Sequence, residues 1–445
     1  MIPIALAILG FLASRFIFSR FKKKDPFLFR AVEIIYILRI AATILLYFVS
    51  SRHLPFLRDY QYGFGFWNFA WDAKVYDLGG SGMAKALAGH GGMPMLGPEW
   101  PFVLYVGFVH LLFGGHPLNA SILNAWWMNG AALAAGKTIG TFTDDRRSIR
   151  IAVLSVLLWP SLFLWSTQGI KEAVMISLIL IDCALVLAVW KNLSEGRSVR
   201  GWFWAGLWLA TFMAAFFRGY VGIALAVASG VVFLPAGLLL LMKRRSIQAL
   251  FCGFLLLSIV VPAWAGTFIS SKEMLAYINP ASPRILAQEL PRYLGTLRQG
   301  IVDLSGSSTV DAGVQVRNLS EMLNYLPRAL AILFLAPFPW EWLSSSKGWL
   351  ERFAGLETLC FYLFLPGLIR SFPVLWRKKD VGLFFLASYI VLLAVPLSVT
   401  VPNLGTLFRL RLQVLVPFVV FIAATAGFSI PYIKRSRPLS EPVSA

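Results

Sequence analysis

Charged residues are scarce in this chain. Asp, Glu, Lys and Arg make up 14% of 445 residues, where soluble domains carry about 25%. That shortage excludes a water-soluble globule. Cysteine is scarcer still: the three thiols, Cys183, Cys252 and Cys360, all fall inside apolar runs. An odd count so placed offers no disulfide framework. Histidine numbers four, and His90, His110 and His116 lack the ligand spacing of a zinc site. Phosphate-cradling glycine loops, zinc-type cysteine pairs and Gly-x-Ser-x-Gly turns are missing too. No internal repeat is visible, and neither a metal nor another cofactor is expected.

Hydrophobic residues supply 58% of the chain. Eleven apolar runs approach the roughly 20 residues that cross a bilayer: 2–19, 29–50, 119–141, 150–166, 173–190, 201–217, 221–241, 247–268, 354–375, 381–401 and 409–431. The expected fold is an all-α polytopic membrane bundle spanning 1–431, with a Pro/Ser tail at 432–445 expected to be disordered on the inner side. Trp100 to Gly115 is short for a span, and Leu326 to Leu343 is broken by Pro337 and Pro339. Both are expected as interfacial or re-entrant helices on the outer face.

The net charge is +19. The basic residues gather at the ends of apolar runs: Arg20 to Lys24, Arg146 and Arg147, Lys191 to Arg200, Lys243 to Arg245, Arg377 to Lys379, and Lys434 to Arg437. Strict alternation puts all of these on one side, the inner one. The N-terminus then lies outside, the C-terminus inside, and 51–118 and 269–353 become outer loops. A nucleic-acid partner is not expected, because that would need the charge on a water-exposed domain. The apolar core Ile2 to Leu12 has no basic residue before it, so it reads as a retained span rather than a secretion signal.

The longest polar interval of the first half runs from Phe66 to Trp100. Asp72 and Tyr76 stand four apart, on one face if the segment is helical. Trp67, Trp71 and Tyr76 suit the headgroup layer, where partial desolvation raises a carboxylate's proton affinity and fits it to general-base work. Asp77 and Glu99 are competing acids in the same loop, and a solvated acid on an amphipathic helix is the plain alternative. Four cations sit on the outer side, where orientation rules do not want them: Lys171, Arg218, Arg409 and Arg411. Arginine grips phosphate bidentately and lysine acts as a point charge, so phosphate binding is one cause; headgroup contact is the other. Arg39 and Asp182 each lie about ten residues into a span, near mid-bilayer. They are expected to pair as a structural strut.

The order of these features resembles the GT-C superfamily of lipid-carrier-dependent glycosyltransferases, particularly bacterial members related to protein mannosyltransferases. The likeness is best over 66–190, with weaker echoes at Arg218 and 403–411. It implies a sugar passed from a polyprenyl phosphate or diphosphate to a glycan, lipid or protein acceptor at the periplasmic face of the inner membrane, with inversion if a single displacement occurs. It implies Asp72 as base, and Glu172 as the acid of the second outer loop. Ala73 and Lys171 stand where several such families carry a further acid, so a divalent metal is not expected. Glu341, among tryptophans, is a candidate sugar contact, and Tyr76 and Asp77 are supporting residues. A polymerase or ligase of lipid-linked glycans, and a transporter or flippase using Arg39 and Asp182, are the alternatives.

Overall fold

The structure, a computed structural model, describes residues 1–92, 94, 97, 99–270, 283–304, 309–342 and 349–426. The tail at 432–445 lies outside them. Two apolar helices open the chain, α1 (Ile2–Lys24) and α2 (Pro26–Ser51). Asp25 separates them, accepting the Leu28 amide as a cap and holding Arg150 through two contacts of 2.7 and 2.9 Å. A short antiparallel hairpin follows, β1 (Gln61–Gly63) and β2 (Phe66–Trp67). The Trp67 indole donates to the Leu46 carbonyl at 3.2 Å, fixing the hairpin to α2.

Helices α3 (Trp71–Leu87) and α4 (Trp100–Phe113) then pack side by side. Their approach depends on two glycines. A Cβ at Gly80 would sit 2.5 Å from Val106 Cγ1, and one at Gly107 would sit 2.7 Å from Met83 Cγ. Helix α4 meets α5 (Leu118–Phe142) at 108°, the bend of a broken span or of a re-entrant loop.

The bundle continues through α6 (Arg146–Leu158), α7 (Pro160–Ser166), α8 (Glu172–Ser194), α9 (Gly201–Phe217), α10 (Gly219–Met242) and α11 (Ser246–Ser270). After it come α12 (Pro283–Leu304), α13 (Leu319–Leu335), α14 (Trp349–Tyr362), α15 (Leu365–Lys378), α16 (Val381–Thr400), α17 (Leu404–Leu410) and α18 (Leu412–Ala426). Helix α8 is the axis: 72% of its apolar window is buried, against 22% for α1.

Among the described residues, six helices are long and apolar enough to cross a membrane, and up to ten spans result if each bent pair counts as one. The chain is therefore an all-α, multi-pass membrane protein. Two runs read as continuous are bent pairs, α6 and α7 at 50° and α14 and α15 at 41°; the last run, expected to begin at 409, is preceded by α17, which meets α18 at 45°. Pro160 and Pro366 open the second member of the first two pairs, where a ring without an N–H starts a helix but cannot continue one. Helix α9, at 17 residues, is the short one. The stretch Leu326 to Leu343 is not one helix: α13 starts earlier and stops at Leu335, before the prolines.

Candidate functional site

Four of the expected site residues arrive from four separate elements at one end of the bundle. Asp72 stands in the first turn of α3. Lys171 caps the N-terminus of α8, Arg218 joins α9 to α10, and Arg409 lies in the last turn of α17. The loop before α8 is fixed from below, where the Asn124 amide donates to the Gln168 and Ile170 carbonyls at 2.6 and 2.9 Å. Asn403 caps α17 by accepting the Thr406 amide at 2.9 Å.

Ion pairs tie these elements together. Arg409 Nη1 lies 2.7 Å from Asp72 Oδ2, and its Nε lies 3.5 Å from Glu172 Oε1. Arg218 Nη2 donates to the same Glu172 oxygen at 2.8 Å. Lys171 Nζ contacts Glu99 Oε2, which also accepts from the Tyr76 hydroxyl at 3.4 Å. The cluster thus holds three cations, Lys171, Arg218 and Arg409, and three carboxylates, Asp72, Glu99 and Glu172.

Burial grades the members. Glu172 and Arg218 side chains are 2% and 4% exposed, whereas Asp72 is 33% exposed and reachable from solvent. Glu172 is the anchor under two guanidinium groups, and Asp72 is the accessible acid. Several hydrogen-bonding atoms remain buried and unmatched among the described residues: Arg218 Nη1, Arg409 Nε and Glu172 Oε2. Buried polar atoms are costly when unpaired, so the two unmatched guanidinium nitrogens can take an acceptor and the unmatched Glu172 oxygen a donor. Burial, followed by repulsion from Arg218, pulls the Lys171 amine down to about 8 despite Glu99. Burial, reinforced by Glu99 and Asp72, pushes the Tyr76 hydroxyl up, so it stays a neutral donor.

Other expected members lie elsewhere. Arg411, offered as a phosphate ligand, is fully buried at 0% exposure and grips Glu357 at 2.6 and 2.9 Å. Its remaining nitrogen donates to the Ala336 carbonyl at 2.5 Å, and its guanidinium stacks over Phe408. It fastens α14 and the end of α13 to α17 and α18. Arg39 and Asp182 do not pair: Arg39 donates to the Leu157 carbonyl at 2.6 Å and lies over the Phe163 ring, while Asp182 accepts from Thr211. Equal depth was all the sequence offered for that pairing, and depth says nothing about azimuth around the bundle. Asp77 meets His110 at 3.1 Å. Glu341 accepts the Phe338 amide at 2.7 Å, closing its own turn.

Glu99 and Glu357 are the members that the sequence did not assign. Glu99, on sequence alone a rival base, holds Lys171. Glu357 sits in the largely apolar α14, and a buried carboxylate needs a cationic partner; that signal was available. No protein-family model, curated protein or solved structure matches this chain.

Proposed function

We propose that this chain is a membrane glycosyltransferase that moves a sugar from a polyprenyl-phosphate-linked donor to a hydroxyl-bearing glycan, lipid or protein acceptor on the non-cytoplasmic face. One observation carries the reading: a solvent-reachable carboxylate, Asp72, is held at 2.7 Å by an arginine that shares Glu172 with a second, deeply buried arginine. An acid that must take a proton and cations that must take a phosphate stand within one ion-pair network.

The network also suggests an order of events. A donor phosphate entering beside Arg218 and Arg409 supplies the acceptor oxygens that their unmatched N–H groups lack. Arg409 exchanges Asp72 for the phosphate, and the freed carboxylate faces the incoming hydroxyl. The acceptor oxygen then bonds to the anomeric carbon as the carbon–oxygen bond to phosphate breaks. The hydroxyl proton passes to Asp72, and the electron pair leaves with the phosphate. Arg218, Arg409 and Lys171 stabilise the charge that grows there. A single displacement inverts the anomeric centre.

The transporter alternative drew on Arg39 and Asp182 as one midplane site, and their separate partners remove that support. The test is transfer from polyprenyl-phosphate-linked hexoses by the full chain in lipid nanodiscs. Asp72→Asn is expected to lower the rate by about 10²–10⁴-fold with donor retention unchanged. Turnover at the wild-type rate in that variant removes Asp72 from the chemistry, and absence of any transferred sugar across a donor panel sinks the assignment.

A further inference from the structure

A second, smaller core lies outside the main one. Leu294 of α12, Val316, Met322, Tyr325 and Ala329 of α13, and Val399 at the end of α16 pack together there. Arg298 stands among them, a fully buried cation that the ion-pair network does not use. Its guanidinium donates to four carbonyls: Val310 and Val314 at 3.2 Å each, Asp311 at 2.7 Å and Val399 at 3.1 Å. It also lies 5.0 Å from the centre of the Tyr325 ring. Arg298 belongs to α12, the first three acceptors to a strap at 309–316, and Val399 to the last turn of α16, where a helix leaves carbonyls without partners. A planar, rigid fork of N–H donors fixes all three pieces against one another. Gly295 permits the close fit, since a Cβ there would lie 1.8 Å from the Val316 carbonyl oxygen.

The strap reaches beyond this small core. The Val310 amide donates to the Pro402 carbonyl at 2.9 Å, and Thr309 pairs with Asn403 in an antiparallel bridge. Asn403 is the cap of α17: its side chain accepts the Thr406 amide at 2.9 Å and its carbonyl accepts that of Leu407 at 2.8 Å. Helix α17 has seven residues, too few to hold a helix unaided. Its placement therefore depends on its two ends. The Glu357–Arg411 pair holds the far end, and the strap holds the near one. Arg409, which meets Asp72 and Glu172, lies between them.

We infer that Arg298 is a positioning residue for the charged cluster. By clamping the strap to α16 it holds the start of α17, and so keeps Arg409 between Asp72 and Glu172. The inference rests on the phosphate role proposed for Arg409 and adds what keeps that residue in place.

The experiment takes the full chain in nanodiscs and reads two quantities, hydrogen exchange of the α17 amides and binding of geranylgeranyl phosphate. Arg298→Met removes the donors. It is expected to speed exchange over 404–410 about tenfold, with α8 unchanged, and to weaken binding about tenfold, as losing one charged hydrogen bond does. Arg298→Lys should not restore either, because one ammonium cannot span carbonyls on separate pieces of chain. Should Arg298→Met fold poorly, Val310→Pro removes only the amide that reaches Pro402, and should produce the same two changes. On an Arg409→Lys background Arg298→Met should weaken binding no further, since its effect passes through Arg409. Full additivity there overturns the inference. So does unchanged exchange over 404–410, or faster exchange with undiminished binding; each leaves the phosphate site standing. Failure of the wild type to bind geranylgeranyl phosphate overturns the phosphate site, and the positioning role with it.

Discussion

Two arginines two residues apart, Arg409 and Arg411, carry opposite duties, and a single partner decides which. Arg409 is partly exposed and reaches Asp72, while Arg411 has Glu357 and no solvent. Removing one member of a buried ion pair leaves an uncompensated charge, which costs about 3–5 kcal/mol. Arg411→Met and Glu357→Gln should therefore each lower the melting temperature in nanodiscs while the surviving protein keeps its prenyl phosphate affinity. Arg409→Lys should do the reverse, because a point charge replaces a fork that bridges Asp72 and Glu172. From the sequence both arginines were outward cations of equal standing, since the partner that separates them lies more than fifty residues away in the chain. Lys171 adds a pH signature. Burial and Arg218 bring its amine down to about 8 from the ordinary 10.5, so the folded protein loses this charge as pH rises through about 8. Phosphate affinity should stay level below that pH and fall above it, with Lys171→Arg moving the fall upward. Stability runs the other way: between about 8 and 10.5 the unfolded chain holds the proton that the folded one has released, so this group makes the fold more stable as pH rises through that window.

At the scale of elements, the position of Asp72 depends on how closely α3 lies on α4. Gly80 and Gly107 set that distance, and neither has room for a Cβ against Val106 or Met83. Gly80→Val should wedge the helices apart, costing about 1–3 kcal/mol as overpacking does, and should lower the transfer rate because Asp72 rides on the same helix. Gly82→Ala is the control: its Cβ meets Pro94 at 3.4 Å, an ordinary contact, so rate and stability should hold or stability rise slightly. Thermal melts and rates measured on the same nanodisc samples distinguish the two variants; equal behaviour would remove the glycine argument. The helical periodicity that puts Asp72 and Tyr76 on one face of α3 was legible from their spacing. The extent of that helix was not, because Gly79, Gly80 and Gly82 read as chain breakers until the neighbouring helix explains them. Likewise the apolar runs were legible as helices, but their bends were not all so: Pro160 signals one, whereas no proline stands at the bend at Arg411.

For the whole molecule, the two ends of the bundle differ in kind. One end carries the balanced cluster of Asp72, Glu99, Lys171, Glu172, Arg218 and Arg409. The other carries basic turns, among them Lys22 to Lys24 beside the Asp25–Arg150 pair, and Arg377 to Lys379 at the end of α15. That separation is what the charge pattern of the sequence encodes, because like charges at alternate loops survive any error in span boundaries. Basic turns are retained on the cytoplasmic side during insertion, so the cluster should face out. Cysteine labelling tests this directly. With Cys183, Cys252 and Cys360 replaced, Ala88→Cys beyond α3 and Ser198→Cys between α8 and α9 both sit at exposed positions. A membrane-impermeant maleimide applied to intact spheroplasts should label residue 88 and reach residue 198 only after permeabilisation. The opposite pattern would put Asp72 on the cytosolic side and sink transfer at the non-cytoplasmic face, while the ion-pair network and its stability predictions would stand.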